Sequence, residues 1–222
     1  MKTLVSWSSG KDSAWMVHVL RQRPDVELAG LLTTVNASAQ RVAMHAVRES
    51  LLARQASALG LPLRTIPLPY PCPNERYEQL MGDAVAGALR EGFTHVAFGD
   101  LFLEDIRAYR ERQLAGTGLT PLFPLFGADT ATLAKEMIAG GLKARLTCVD
   151  PRVLDRRFVS REFDDDLLAE LPAGIDPCGE RGEFHSFAYA GPMFAAPIPV
   201  QAGEIVERDG FVFADLLEAR GA

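Results

Sequence analysis

The chain has 222 residues, with 23 Lys and Arg against 29 Asp and Glu, which gives a formal net charge of −6. Hydrophobic residues make up 48% of it, a composition that excludes disorder as its main character. The acidic balance gives no support for a nucleic-acid partner, although a local basic patch could still bind one, and no apolar run approaches the ~18 residues that a membrane helix needs. The amino terminus turns polar at Ser6, so we expect no secretion signal. Three isolated cysteines (Cys72, Cys148 and Cys178) favour a reducing, cytoplasmic setting.

The first two thirds of the chain alternate short apolar runs with longer amphipathic stretches. The runs predict buried strands at residues 3–7, 26–34, 63–68, 94–99 and 145–149. The amphipathic stretches predict helices at residues 12–22, 42–59, 75–91, 104–115 and 130–139, with Gly60 and Gly92 ending the second and third. This alternation predicts an α/β fold, a doubly wound parallel sheet with helices on both faces.

Beyond residue 150 the composition changes, because glycines and prolines crowd together and the helical period fades except at residues 164–171. Short strands, expected to be antiparallel, are predicted at residues 184–189, 198–201 and 211–213. We therefore predict a first domain of residues 1–150 and a smaller α+β part of residues 151–222 packed against it.

The loop after the first strand is the first candidate for chemistry, with the sequence Ser8-Ser9-Gly10-Lys11-Asp12-Ser13. Small residues let backbone N–H groups approach an anion, and the helix amino terminus adds partial positive charge. Lys11, expected to be exposed and of little weight for stability, would complete a phosphate cradle, and Asp12 could hold Mg²⁺ together with phosphate oxygens. The alternative is an ordinary strand–turn–helix junction capped by a serine or by Asp12. These six residues do not decide between the two.

Two familiar phosphate motifs are excluded. A P-loop needs a glycine where Val5 stands and a serine or threonine where Asp12 stands, and no G-x-G-x-x-G occurs in the chain.

The hexapeptide resembles the pyrophosphate loop, SGGxDS, of the adenine nucleotide alpha-hydrolase superfamily, with Ser9 in place of the first glycine. Further segments, in order over roughly residues 3–199, resemble one branch of it, the diphthine–ammonia ligase family and its ATP-binding relatives. These segments are Gly99-Asp100, Tyr109, Pro121-Leu122-Phe123-Pro124-Leu125-Phe126, Glu136-Met137-Ile138 and Cys178-Gly179-Glu180-Arg181-Gly182-Glu183-Phe184.

The resemblance implies an ATP-dependent ligase. Its members adenylate a carboxylate with release of pyrophosphate, and ammonia then attacks to form an amide and release AMP. Residues 1–150 would form the ATP-pyrophosphatase domain, with ATP and Mg²⁺ as cofactors, and residues 151–222 would recognise the acceptor. The nucleotide would contact Ser8, Ser9, Gly10, Lys11, Asp12 and Ser13, and Asp12 would hold the metal. The acceptor would be a small molecule or a modified protein side chain, and the oligomeric state, including a homo-oligomer, stays open.

Strand ends add further candidates. Asp100 ends a predicted strand, where parallel sheets bind ligands, and could orient a metal, a ribose or the substrate; otherwise it caps the helix that begins at Glu104. Thr33 and Thr34 end the second strand and are either adenine-side contacts or simple strand residues.

The segment of residues 180–186 resembles the second family signature, EGGEYET. Glu180 and Glu183 would hold ammonium and accept its proton, unless they belong to a solvated turn. Arg181, His185 and Ser186 replace a Gly, a Glu and a Thr of the signature, which leaves the acceptor open. His185 is either an added acid/base group or a structural hydrogen-bonding residue. Cys178 could act as a nucleophile only with a lowered pKa.

Two rival functions differ in class. A tRNA-thiolating enzyme of the same superfamily usually has paired cysteines or a basic RNA-binding extension, and neither is found in this sequence. A non-catalytic ATP-binding module resembling universal stress proteins would need neither Asp12 nor the acidic second signature.

Overall fold

The computed structural model of the protein describes residues 1–39, 41–42 and 47–219. Its first sheet has six strands: β1 (Lys2–Ser6), β2 (Glu27–Asn36), β3 (Arg41–Val42), β4 (Leu63–Leu68), β5 (His95–Ala97) and β6 (Thr120–Leu122). β1 pairs in parallel with β2 and β5, β2 with β4, and β5 with β6, while β3 runs antiparallel to the end of β2. The prediction of a mostly parallel sheet is confirmed. β3 and β6 were not predicted, since strands of two and three residues are too short to show a period.

The strand order indicates where on this sheet a ligand can bind. From β1 the chain builds outward through β2 to β4, and it then returns to the other side of β1 to add β5 and β6. The direction of winding therefore reverses between β1 and β5, and in doubly wound sheets ligands bind beside the carboxyl ends of the strands at this switch point. The loop of residues 8–13 and the residues after β5 flank that point.

Helices follow the predicted positions closely: α1 (Lys11–Arg21), α2 (Glu49–Leu59), α3 (Asn74–Arg90), α4 (Glu104–Leu114), α5 (Thr130–Ala139) and α6 (Asp165–Glu170). The prediction for α2 was too long, because Val42 pairs with Val35 in β3. Residues 43–46, which include His45, lie outside the described residues. Gly60 ends α2 in the left-handed conformation, with a φ of 66°. Among the helices of the described chain, none has both the length and the apolar character needed to cross a bilayer.

Both faces of the parallel sheet are covered, as successive residues of a strand show. In β1, Leu4 belongs to one buried cluster, together with Ala88 of α3 and Leu114 of α4. Its neighbour Val5 belongs to the other cluster, together with Val17 of α1. Because side chains alternate across a strand, these clusters lie on opposite faces, and the sheet is buried between them.

The second sheet is antiparallel, with the order β8-β7-β10-β9. It comprises β7 (Lys143–Val149), β8 (Phe184–Ala190), β9 (Val200–Arg208) and β10 (Phe211–Glu218). The predicted antiparallel pairing is confirmed, but β9 and β10 are longer than predicted. They form a hairpin through Asp209 and Gly210, both with positive φ, a turn that an Asp-Gly pair favours.

β7 is a correction. The run at residues 145–149 was expected to belong to the parallel sheet, yet β7 pairs antiparallel with β8 and β10. An apolar run indicates a buried strand without specifying its partners. A division of the chain at residue 150 would therefore separate β7 from both of its neighbours.

Removal of residues 151–222 is expected to give an insoluble fragment. Phe158, Phe163, Phe187 and Leu216 are buried in the same cluster as residues of α1 and α2, so their loss would expose a large apolar surface. Size-exclusion chromatography of a fragment ending at Asp150 tests this, with the whole chain as the control. A monomeric fragment that unfolds cooperatively would contradict it.

Candidate functional site

A cavity of about 410 Å³ opens at the switch point. Three segments meet there: the loop between β1 and α1, the residues after β5, and the turn of residues 178–186 that leads into β8. The predicted site residues that line the cavity are Ser8, Lys11, Asp12, Ser13, Thr33, Thr34, Asp100, Glu180 and His185. Ser9, Gly10 and Glu183 do not line it. The fold thus brings together predicted site residues that are up to 177 positions apart in the chain, from Ser8 to His185.

The amino terminus of α1 has no side-chain cap. Gly10 is the N-cap residue, in an extended conformation, and its carbonyl accepts a hydrogen bond from Ser13 Oγ at 3.0 Å. The Lys11 amide donates to Ser186 Oγ of β8 at 3.2 Å. The alternative in which a serine or Asp12 caps α1 is therefore wrong. Apart from the Lys11 amide, which donates to Ser186, the first turn presents backbone amides and partial positive charge, the arrangement that binds anions.

Lys11 is buried, which corrects the expectation of an exposed loop lysine. Its side chain is 2% exposed. Nζ donates to both Asp12 carboxylate oxygens, at 2.9 and 2.8 Å, and to the Cys178 carbonyl. It also lies over the Phe163 and Phe184 rings, 5.5 and 5.4 Å from their centroids. Burial acts to lower the pKa of Lys11, but Asp12 above all outweighs it, so the pKa lies above its ordinary value.

Gly99 brings the end of β5 against α1. A Cβ atom there would lie 3.2 Å from the Ser13 amide nitrogen and 3.3 Å from the Asp12 carbonyl carbon. Only a residue without a side chain fits at such a distance without displacing backbone. Gly99 therefore allows Asp100 to approach the loop of residues 8–13.

Asp100 faces Arg110 of α4. The Arg110 Nε atom lies 3.7 Å from Asp100 Oδ2, and burial raises the pKa of Asp100 despite that charge. The alternative role of Asp100 as a helix cap is wrong, because α4 begins after Leu103 without a side-chain cap.

Glu180 is the most perturbed carboxyl group of the cavity. Its Oε1 accepts a hydrogen bond from the Leu101 amide at 2.8 Å. Burial raises the pKa of Glu180 to about 7, with Asp12 and Asp100 adding to the effect while the Leu101 amide and Lys11 oppose it. A carboxyl group with this pKa can both accept and donate a proton near neutral pH.

Glu183 lies behind the cavity. It is 5% exposed, and its two oxygens accept hydrogen bonds from the Asp176 amide at 3.0 Å and the Arg181 amide at 2.9 Å. Both oxygens therefore hold the turn of residues 176–183 together. This placement favours a structural role over the general-base role predicted from the signature.

Asp176 supports the same turn and was missed by sequence reasoning. Its Oδ1 accepts from the Cys178 amide at 2.9 Å, and its Oδ2 accepts from Thr130 Oγ1 at 2.7 Å. An aspartate two residues before a turn is too common a pattern to have indicated this role.

The remaining predicted residues differ in their exposure to the cavity and in their hydrogen bonds. Thr33 is buried and donates its hydroxyl hydrogen to the Trp7 carbonyl at 2.7 Å, whereas Thr34 is half-buried at the cavity wall. His185 lines the cavity from β8. Burial raises the pKa of Cys178 to about 12, the opposite of what a nucleophile needs.

Gln55 of α2 is a second residue that sequence reasoning missed. It is fully buried, and its Nε2 donates to the Ser9 carbonyl at 2.9 Å and the Ala188 carbonyl at 2.6 Å. Trp7 Nε1 donates to its Oε1 at 3.0 Å. A signal existed, because Gln55 is four residues from both Leu51 and Leu59 and so lies on the apolar face of the helix.

Ser9→Gly is expected to stabilise the protein by about 1 kcal/mol. Ser9 has a φ of 72°, a left-handed conformation that disfavours side chains, and its buried hydroxyl has no partner among the described residues. Relief of both outweighs the extra entropy of glycine in the unfolded chain. Urea denaturation measures the change, and ATP affinity should not move because Ser9 does not line the cavity. A loss of stability would contradict the assignment of strain.

Mg²⁺ fits this cavity only together with phosphate. Among the described residues, no group of three or more His, Cys, Asp or Glu side chains could hold a metal ion. Asp12, 26% exposed at the cavity, can supply one carboxylate, and Mg²⁺ is commonly held by one or two carboxylates plus phosphate oxygens and waters.

Together, the doubly wound sheet and the cavity at its switch point define an α/β protein with a ligand site between the loops after β1 and β5. A family profile, the diphthamide synthase C-terminal domain, matches residues 129–216. The diphthine–ammonia ligase of Danio rerio is 31% identical over 176 residues, which cover 72% of this chain and 68% of that protein. The ligases of the same name from Bos taurus and Homo sapiens are 27% and 25% identical over 99% of this chain and 90% of theirs.

The chain belongs to the diphthine–ammonia ligase family. It is thus an ATP-dependent, amide-forming ligase by family. The resemblance drawn from the motifs is confirmed.

Proposed function

We propose that the chain adenylates the carboxylate of an acceptor with ATP and then transfers ammonia to it, forming an amide. The observation that carries the proposal is the meeting of three segments in one cavity: the loop of residues 8–13, Asp100 and Glu180. Each supplies a different requirement of the reaction, namely anion binding, orientation and proton transfer.

In the first step, an oxygen of the acceptor carboxylate attacks the α-phosphorus of ATP, and the bond to pyrophosphate breaks. Negative charge grows on the leaving pyrophosphate, so the first-turn amides of α1 and the Lys11 ammonium stabilise it. Mg²⁺, held by Asp12, would neutralise phosphate charge when bound. Thr34 and the backbone of Thr33 would lie along the nucleoside.

In the second step, ammonia attacks the carbonyl carbon of the acyl adenylate, and AMP leaves with the electrons of the broken C–O bond. Ammonium prevails near neutral pH, so a nearby base must take a proton to produce the nucleophile. Glu180 is suited to this by its position and by its pKa of about 7. Its carboxylate form attracts ammonium and then accepts the proton.

The proposal is tested by measuring AMP and pyrophosphate from ATP, with and without candidate carboxylates, and by following ¹⁵N from labelled ammonium into product. Acceptor-dependent pyrophosphate exchange and labelled amide support it. ATP binding without turnover would favour the non-catalytic module, and sulfur transfer to tRNA would favour the thiolating enzyme.

A further inference from the structure

The described residues enclose a second cavity, of about 330 Å³, between α3 and α4, here called the α3–α4 groove. It continues the first cavity, because the two share the lining residues Tyr77, Met81, Val85, Phe98, Arg110 and Leu114. Its volume lies at the lower end of the range for small-molecule sites. None of the residues predicted to bind ATP or to manage ammonia lines the groove.

The groove is apolar because of the way α3 faces it. Tyr77, Met81, Val85 and Leu89 recur every four residues and form one stripe along the helix. Such a stripe normally packs into a core, yet only Ala88 of the 17 residues of α3 is fully buried. The stripe is half-buried and lines the groove. A ligand that completes the burial of this stripe would gain hydrophobic free energy.

Arg110 stands where the two cavities join. Its Nε lies 3.7 Å from Asp100 Oδ2, a distance that is too long for a hydrogen bond. Both atoms are shielded from solvent, and neither has a hydrogen-bond partner among the described residues. The guanidinium group lies 5.0 Å from the centroid of the Phe98 ring. A stacked guanidinium with unused donors is suited to a carboxylate, which it can bind through two hydrogen bonds.

Resting on the proposed function, the geometry points to the class of acceptor: a small carboxylic acid with an apolar body, whose body lies in the α3–α4 groove and whose carboxylate meets Arg110. This orientation places the carboxylate at the boundary with the cavity that holds Lys11 and Asp12, where an oxygen must be adenylated. Arg110 also offsets the repulsion that Asp100 and Glu180 exert on a third carboxylate. Apart from Arg110, the lining of the groove is apolar except for the side chains of Tyr77, Glu78, Tyr109, Gln113 and Thr117. A strongly polar body would therefore lose its hydration in exchange for few partners.

Calorimetric titration of the whole chain with 3-phenylpropanoate, and with succinate as the polar comparison, tests the inference with and without a non-hydrolysable ATP analogue. Ala86 lines the α3–α4 groove but not the first cavity, so Ala86→Leu should fill the groove. Ala84→Leu is the control, because it makes the same change on α3 at a position that lines neither cavity. We expect 3-phenylpropanoate to bind at least about tenfold more tightly than succinate. Ala86→Leu and Arg110→Gln should each weaken it by about tenfold, or about 1.4 kcal/mol, and Ala84→Leu should not.

Several results would overturn the inference. They are the absence of 3-phenylpropanoate binding, an equal affinity for succinate, and binding that neither Arg110→Gln nor Ala86→Leu weakens. A loss of ATP affinity in Ala86→Leu would assign the groove to adenine and overturn it as well.

Failure of the proposed function gives a different pattern. If no carboxylate drives AMP formation while 3-phenylpropanoate still binds through Arg110, the adenylation chemistry is wrong and the carboxylate site stands. If succinate drives AMP formation and 3-phenylpropanoate neither binds nor reacts, the proposed function stands and the inferred acceptor class is wrong.

Discussion

Glu180→Gln is expected to slow the ammonia-dependent step by ~10²–10⁴-fold, the usual effect of removing a general base, while pyrophosphate exchange continues. Glutamine keeps the acceptor for the Leu101 amide but cannot take a proton from ammonium. In the wild-type protein, the rate of the ammonia step should rise with pH through about 7, as the Glu180 carboxyl group ionises. The variant should lose the inflection near pH 7 and follow instead the fraction of free ammonia, which rises steadily with pH over this range. Labelled amide formation and exchange, measured side by side from pH 5.5 to 8.5, give both quantities.

A measurement of stability distinguishes the loss of the general base in Glu180→Gln from unfolding of the variant. The pKa of Glu180 is higher in the folded protein than its ordinary value of 4.5, so the group's contribution to stability is complete below pH 4.5 and is lost as pH rises through about 7. Glutamine does not ionise, so the variant does not lose this stability as pH rises. It should therefore be at least as stable as the wild-type protein at pH 8.

Glu183→Gln is the matched control for the same substitution. Its amide nitrogen would face one of two backbone N–H donors, which predicts destabilisation of about 1–3 kcal/mol without a selective effect on the ammonia step. If exchange and amide formation fell equally in Glu180→Gln, Glu180 would belong to the adenylation site instead.

Lys11→Met is expected to lower the adenylation rate by ~10²–10³-fold, the usual effect of removing one donor from a developing anion. It should also destabilise the fold by about 1–3 kcal/mol, because the Cys178 carbonyl loses a buried hydrogen bond. Methionine retains most of the packing against Phe163 and Phe184, so the loss reflects charge and hydrogen bonding more than volume. Pyrophosphate exchange and urea denaturation measure the two effects. Calorimetric titration with ATP and Mg²⁺ measures the affinity for ATP, which should fall as well.

The exposed Lys135 of α5 provides the control, since Lys135→Met removes the same charge away from the cavity and should change neither quantity. Unchanged ATP affinity in Lys11→Met, under conditions where the variant is folded, would refute the phosphate-cradle assignment.

Much of the fold could be predicted because its signals lie within short segments. Helix α5 and strand β4 were predicted to the residue, since apolar residues with glycines beside the helix and prolines beside the strand mark them locally. The loop of residues 8–13 and Asp100 were found because they follow strands, and parallel strands bring their carboxyl ends to one edge. Order along the chain was therefore enough to predict that these residues share a site.

What the sequence by itself determined was the helices and the longer strands, the mostly parallel character of the first sheet and the family. Only the tertiary structure decided which chemical environment each candidate residue occupies. Lys11 became a buried cation because Phe163, Phe184 and the Cys178 carbonyl, more than 150 positions away, close over it. Glu183 became structural because backbone amides of its own turn occupy both oxygens. Period and turn chemistry belong to neighbouring residues, whereas burial, pairing and pKa depend on groups that only folding brings within a few ångströms.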